Sequence, residues 1–290
     1  MKNYLDFANT IASTFEAAKK IPTPDAQHAP KNAAEIFGNP ALPTDKSSAD
    51  NILIFAPHPD DECITGLLPL RLMREHGAHV TNVAITLGSK VERRGERKIE
   101  LQNACNFLGW ELEICGDPDN GLVSINPKTR ADNPNYWSIC VEKLAAIIEE
   151  KKPTIIFAPH PDDWNATHIG TALLARDAVR KADWCGTFVE TEYWGGLKKA
   201  NLMVEARSEH VATLITALAF HKKEVERNDY HLRLPAWMCD NVRRGAELVG
   251  GAGAPAPEYT FATLYNVIQI PTKHTLPPAI SSLLNTTPKA

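Results

Sequence analysis

The chain has 290 residues, of which 43% are hydrophobic and 23% charged, and its formal net charge at pH 7 is −4. This composition is typical of a globular domain whose core needs no disulfide bonds, and the lack of a basic stripe argues against nucleic acid or an anionic membrane surface as a partner. No segment reaches the roughly 18 consecutive apolar residues of a membrane span, and the first residues lack the apolar segment of a signal peptide, so we expect a cytoplasmic protein.

The predicted elements begin with a helix and a Pro- and Ala-rich arm in residues 1–50. Beyond the arm, apolar runs alternate with stretches of helical periodicity. The predicted strands are 51–56, 79–86, 111–115, 154–158 and 186–194, and the predicted helices between them are 65–76, 93–108, 136–150 and 168–181. Strands that alternate with helices are typical of right-handed βαβ units, so we predict an α/β fold with a mostly parallel sheet flanked by helices.

The last third of the chain has a different pattern. We predict helices at 208–227 and 235–248, the second with Pro235 at its start, followed by a loop at 249–258 and a strand at 259–268. The polar, Pro-rich segment 271–290 is interpreted as a C-terminal tail. No linker divides the chain, so we expect one domain over residues 51–270, with the N-terminal helix and arm (1–50) before it.

The heptapeptide FAPHPDD occurs twice, at residues 55–61 and 157–163, each time at the end of a predicted buried strand. Because ligands bind at the carboxyl ends of parallel strands, both copies are expected at the functional edge of the sheet. In the first copy His58 and Asp61 offer imidazole and carboxylate ligands for zinc, and Asp60 can accept a proton from a metal-activated water. A structural interpretation, in which Asp60 or Asp61 caps the following helix, stays open.

A catalytic zinc site of this kind needs a third protein ligand. His160 in the second copy and His168 at the start of the next predicted helix are both candidates, and their spacing does not decide between them. A two-metal phosphoesterase that uses both copies, with His160 and Asp163 at the second metal, is a further alternative.

The stretch His58-Pro59-Asp60-Asp61-Glu62 resembles the signature of the LmbE-like, PIG-L de-N-acetylase family, and the resemblance extends over roughly residues 50–195. It implies a Rossmann-like fold and a zinc hydrolase that removes N-acetyl groups from glucosamine-containing compounds. In the family pattern, His58 and Asp61 correspond to zinc ligands, and Asp60 corresponds to the general base.

The family's third zinc ligand is the last histidine of a downstream H-x-D-H motif, which corresponds to His168. The first histidine of that motif assists the oxyanion or the leaving group in the family, and Asn165 replaces it here, while Thr167 replaces the aspartate. Asn165 can donate a hydrogen bond to an oxyanion but cannot deliver a proton. The resemblance therefore implies that Asp60 moves the proton both ways, unless His160 takes part.

Three further residues are predicted to contact the substrate. By the resemblance, Arg97 lies near the substrate, where its guanidinium could bind a hydroxyl or a phosphate, and Asp119 contacts sugar hydroxyls. Trp164 is a candidate for stacking on a sugar ring. Each residue also has a structural interpretation, as part of a solvated helix face, a turn or the core.

These residues together predict a metal-dependent N-deacetylase, a C–N hydrolase of linear amides, with one Zn2+ per chain and other divalent metals left open. Its expected partner is a small N-acetylated sugar or conjugate of the N-acetylglucosamine type. The alternatives are an amidase for a non-sugar or thiol-conjugate substrate, and a non-catalytic sugar-binding relative. The sequence leaves open the natural substrate, the oligomeric state (a homo-oligomer included) and the roles of the arm and of the 249–258 loop.

Overall fold

The structure is a computed structural model that describes residues 2–24, 32, 33 and 50–270; the predicted tail and most of the predicted arm lie outside the described residues. Within the described part of the chain, seven strands form one sheet. The strands are β1 Asn51–Ala56, β2 His79–Ala84, β3 Glu111–Ile114, β4 Ile155–Pro159, β5 Gly186–Thr191, β6 Leu202–Ala206 and β7 Phe261–Ile270.

The sheet has the strand order β3-β2-β1-β4-β5-β7-β6. The first five strands in this order are parallel to one another, whereas β7 runs antiparallel to both β5 and β6. The predicted mostly parallel α/β sheet is thus confirmed, and the last two strands add a mixed edge. No described helix is long and apolar enough to cross a membrane.

Helices connect the parallel strands and cover the sheet. In chain order they are α1 Lys2–Ala18, α2 Asp61–Thr65, α3 Leu67–His76, α4 Arg94–Leu108, α5 Pro127–Asp132, α6 Pro134–Lys151, α7 Ala166–Lys181, α8 Ser208–Ala219, α9 Lys222–Arg227 and α10 Tyr230–Gly250. A short 3-10 turn, Val91–Arg93, leads into α4.

The central strands are buried on both faces, as their continuous apolar runs predict. In β1, Ile52 and Ile54 pack into one hydrophobic core, whereas Leu53 and Phe55 pack into a second core on the other face of the sheet. The alternation follows from the two-residue period of a strand. The sheet is therefore fixed between two helical layers, and its carboxyl edge is where polar residues can gather.

The C-terminal third departs from the sequence-based predictions in three places. β6 was not predicted, because it has only five residues and lacks a long apolar run. The predicted helix 208–227 is two helices, α8 and α9, separated by Phe220 and His221. The helix predicted to start at Pro235 starts at Tyr230, so Pro235 lies inside α10; its missing N–H falls in the second turn, where only one intrahelical hydrogen bond is lost.

Candidate active site

The candidate site lies where two neighbouring parallel strands, β1 and β4, end. Each of these strands runs into one copy of FAPHPDD. From β1 the chain adds β2 and β3 on one side, and it then returns to add β4 and β5 on the other side. β1 and β4 therefore flank the point at which the strand order reverses, and the crevice at such a point is the usual ligand site of an open α/β sheet.

Three side chains converge at this point. His58 Nδ1 and His168 Nε2 each lie 3.2 Å from Asp61 Oδ2, and one ligand atom from each residue lies within 4.8 Å of the other two. The backbone N–H of His58 also donates to Asp61 Oδ2, at 3.0 Å, which fixes the turn between β1 and α2. His168 comes from the first turn of α7, the helix that follows the second heptapeptide copy, so the segments after β1 and β4 together form one cluster.

The His168 ring is held so that one nitrogen faces the cluster. Its Nδ1 lies 3.4 Å from Asp163 Oδ2, and the Asp163 carboxylate in turn accepts the N–H groups of Asn165 and Gly195, at 2.8 and 3.3 Å. His168 Nε2 is buried and makes no hydrogen bond within the described residues. The cluster offers two imidazole nitrogens and one carboxylate oxygen, and one of these nitrogens is buried without a hydrogen-bond partner among the described residues. This set of atoms fits a zinc site with three protein ligands.

The electrostatics of the cluster favour a carboxylate between two cationic or metal-binding groups. Burial opposes ionisation of Asp61, but the attraction to His168 and the close contact with His58 outweigh it and hold the pKa of Asp61 well below its usual range. Burial alone would lower the pKa of His168, whereas the carboxylates of Asp61 and Asp163 raise it to about 10. A divalent cation that replaces this proton would meet the same negative charge.

Asp60 lies beside the cluster with its carboxylate facing a different set of partners. Tyr230 Oη donates to Asp60 Oδ2 at 2.6 Å, and Arg97 Nη2 lies 3.7 Å from the same oxygen. Burial and the neighbouring Asp61 carboxylate raise the pKa of Asp60 to about 6. Its side chain makes no helix-capping hydrogen bond to α2, so the capping role that the sequence left open for Asp60 does not occur.

A buried pair next to the cluster, Glu62 and His221, does not follow from the sequence analysis, which places His221 inside the predicted helix 208–227 without a role in the site. His221 and Glu62 are both fully buried, and His221 Nε2 lies 2.7 Å from Glu62 Oε1. Burial alone would lower the pKa of His221, but the Glu62 carboxylate raises it. The only local signals for this pair were the acidic residue directly after Asp61 and a histidine inside a predicted helix.

Asn165 and His160, the two residues considered as replacements for the family's second histidine, are both engaged. Asn165 Oδ1 caps α7 by accepting the N–H groups of Thr167 and His168, at 2.9 and 3.4 Å. His160 is 2% exposed, and its Nε2 lies 2.7 Å from the carbonyl oxygen of Gly195. Within the described residues His160 belongs to neither of the groups that could hold a metal ion.

The three predicted substrate-contacting residues lie in different environments. Arg97 is largely buried and braces the turn of the first heptapeptide copy, because its Nη2 donates to the carbonyl of Pro59 at 2.7 Å. The side chain of Asp119 is 83% exposed and pairs with Lys98 at 3.0 Å. Trp164 is 75% exposed, so its indole lies at the surface. It directly follows Asp163, the residue whose carboxylate contacts His168 Nδ1.

The matches with known proteins cover the part of the chain that carries both heptapeptide copies. Residues 53–179 match the family model described as PIG-L: GlcNAc-PI de-N-acetylase. The chain is similar to the 1D-myo-inositol 2-acetamido-2-deoxy-alpha-D-glucopyranoside deacetylase of Saccharomonospora viridis, with 32% identity over 155 residues that cover 43% of this chain and 58% of that protein. Across the curated relatives that match, the chain spans between 49% and 60% of their length.

Solved structures share the fold at low sequence identity. N,N'-diacetylchitobiose deacetylase from Pyrococcus horikoshii has a TM-score of 0.52 at 17% identity, over 80% of this chain and 88% of that chain. The 4-carboxy-2-hydroxymuconate hydratase GalB from Pseudomonas putida KT2440 has a TM-score of 0.54 at 13% identity, over 79% of this chain and 100% of that chain. One fold thus carries a deacetylase and a hydratase, so the residues of the site must decide the chemistry.

Proposed function

We propose that this protein, whose residues 53–179 match the PIG-L family model, is a metal-dependent hydrolase that removes the N-acetyl group from an N-acetylglucosamine-type sugar or sugar conjugate. The observation that carries the proposal is the convergence of His58, Asp61 and His168 beside Asp60. A binding protein has no need of a carboxylate whose pKa is raised toward neutrality next to three metal ligands.

The three ligands would hold one Zn2+, which lowers the pKa of a bound water and polarises a carbonyl. Asp60 would accept the proton of the attacking water. A pKa of about 6 suits this task, because the group is ionised at neutral pH and is still basic enough to take the proton. As the C–N bond breaks, Asp60 would return the proton to the departing nitrogen, giving acetate and a free amino sugar.

Asn165 is proposed to support the oxyanion of the tetrahedral intermediate. Its carbonyl oxygen caps α7, so the amide NH2 remains the part of the side chain that can donate a hydrogen bond. The His160 ring is bound to Gly195, which favours the version of the mechanism in which Asp60 moves the proton in both directions. In this proposal Arg97, Asp119 and Trp164 contact the substrate.

The experiment combines metal analysis with an amide-hydrolysis assay. We expect about one zinc per chain, and amine release from N-acetylglucosamine or chitobiose-type substrates that falls at least about 100-fold in Asp60→Asn with the metal retained. Two metals per chain would favour the phosphoesterase. Metal without turnover of any amide would favour a sugar-binding protein, and turnover of non-sugar amides alone would identify an amidase.

A further inference from the structure

Asp60 has a backbone conformation that residues other than glycine rarely adopt, with φ 117° and ψ −32°. Such a conformation persists only where the surrounding structure holds it, and it is found preferentially at functional sites. Two sets of contacts from other parts of the chain act on this one residue. One set holds its backbone and the other holds its carboxylate.

The backbone contact runs through the buried Glu62 carboxylate. Glu62 Oε2 accepts the N–H of Asp60 at 2.8 Å. Its other oxygen, Oε1, lies 2.7 Å from His221 Nε2 and 3.0 Å from Cys63 Sγ. Since Glu62 and His221 are both fully buried, the carboxylate that fixes Asp60 is itself oriented by a histidine 159 residues further along the chain.

The carboxylate contact is the hydroxyl of Tyr230. Tyr230 is the first residue of α10, it is 6% exposed, and its hydroxyl donates to Asp60 Oδ2 at 2.6 Å. A short hydrogen bond from a buried donor restricts both the position and the rotation of the carboxylate. Arg97, at 3.7 Å from the same oxygen, adds positive charge without a hydrogen bond to it.

We propose that Tyr230 and the Glu62–His221 pair are positioning residues for Asp60. Tyr230 aims the carboxylate, and His221, through Glu62, holds the backbone that presents it. Tyr230 and His221 lie in the C-terminal third, outside the segment 53–179, so the C-terminal helices complete the machinery that the matched segment begins. The inference rests on the proposed role of Asp60 as general base.

The hydroxyl of Tyr230 is tested with Tyr230→Phe and a matched control, Tyr265→Phe. Tyr265 is also fully buried and its hydroxyl makes two hydrogen bonds, to Thr65 and Leu68, but it does not contact Asp60. We expect Tyr230→Phe to lower kcat about 10- to 100-fold with KM and zinc content unchanged, and Tyr265→Phe to lower Tm alone.

A double-mutant cycle separates positioning from general support of the fold. In the Asp60→Asn background, Tyr230→Phe should cause no further loss of kcat, because the hydroxyl acts through the carboxylate. If the losses of the two single variants multiply, or if Tyr230→Phe leaves kcat unchanged, Tyr230 does not position Asp60.

The backbone contact is tested by crystal structures, which need no turnover. In His221→Leu, which removes the donor to Glu62, we expect the Glu62 carboxylate to turn and Asp60 to leave the positive-φ region, whereas His210→Leu, a substitution of another buried histidine, should leave Asp60 in place. Should His221→Leu not fold, Glu62→Gln gives the same readout, because an amide cannot accept hydrogen bonds at both ends. If Asp60 keeps its backbone conformation in these variant structures, the inference is refuted. If Asp60 moves in the variants but the wild-type protein has no deacetylase activity, only the proposed function is refuted.

Discussion

Asp163 Oδ2 lies 3.4 Å from Nδ1 of His168, at the opposite end of the imidazole from Asp61. Asp61 and Asp163 occupy the same position in the two copies of FAPHPDD. One carboxylate faces Nε2 as a candidate co-ligand, and the other faces Nδ1, where it can fix the tautomer that leaves Nε2 free for a metal. The two copies therefore contribute to one cluster in different ways, and they do not form two equivalent sites.

The first prediction concerns this support of His168. Asp163→Asn is expected to weaken zinc affinity about 10- to 100-fold, because an amide beside Nδ1 no longer favours a proton there. The measurement is a competition titration with a chromophoric chelator. Asp162→Asn is the control, since the side chain of Asp162 is 58% exposed and pairs with Lys198, at 3.4 Å. Equal affinity in the two variants would contradict the supporting role.

The second prediction separates the three histidines of the heptapeptide region. His58→Ala and His168→Ala are expected to lose the metal, because each removes one nitrogen of a three-ligand set. His160→Gln should keep one zinc per chain, because the His160 ring is bound to the Gly195 carbonyl. Elemental analysis after dialysis measures this directly. Loss of zinc from His160→Gln would instead indicate that His160, in the second heptapeptide copy, is a metal ligand.

The parallel half of the fold could be predicted because its information is local. Apolar runs followed by helical periodicity define β1 to β5, and the rule for the carboxyl ends of parallel strands places both heptapeptides at one edge. The position of β7 between β5 and β6 could not be predicted, because strand order at a mixed edge depends on contacts between residues far apart in the chain.

The clustering of the candidate ligands could be predicted only in part from the residues themselves. His58 and Asp61 were named from the motif and its strand position, whereas His168 was chosen over His160 by the family resemblance, and the structure brings His58, Asp61 and His168 together. His221 and Tyr230 were missed because their partners, Glu62 and Asp60, are 159 and 170 residues away. For Tyr230 there was also a usable signal, since its spacing with the buried apolar residues of α10 at four-residue intervals extends the helix face past Pro235.

The third prediction is a pH dependence of stability that arises from His210. Burial, together with the positive charges of Arg207 and Arg71, lowers the pKa of His210 to about 4, and the backbone N–H of Arg207 donates to its Nδ1 at 3.3 Å. The folded protein therefore favours neutral His210. This contribution, up to about 3 kcal/mol, is present above pH 6.5 and is lost as pH falls from 6.5 toward 4.

Urea unfolding of the metal-free protein at pH 7.5 and pH 5, with chelator throughout, measures this effect. His210→Gln should show a smaller fall in the free energy of unfolding between the two pH values than the wild type, because glutamine has no proton to bind. Carboxylates elsewhere titrate equally in both proteins, so the difference between them isolates His210. If the free energy of unfolding falls by the same amount in both proteins between pH 7.5 and pH 5, His210 is not the source of the pH dependence.

The fourth prediction concerns an ion pair that fixes the end of β5 to α10. Glu192 is 2% exposed; its carboxylate accepts hydrogen bonds from the Arg244 guanidinium, with Nη1 3.1 Å from Oε2, and from the N–H of Leu197. Arg244→Met should lower the free energy of unfolding by about 3 kcal/mol, because it leaves a buried carboxylate without its charged partner.

Chemical denaturation measures this loss, and the neighbouring Arg243→Met is the control. The side chain of Arg243 is 73% exposed and pairs with Asp240, so its removal should change stability by no more than about 0.5 kcal/mol. Glu192→Gln combined with Arg244→Met should recover part of the loss, since a neutral amide costs less to bury than an unpaired carboxylate. If the double variant is no more stable than Arg244→Met, the stability of this region comes from packing of the arginine stem and not from the charge pair.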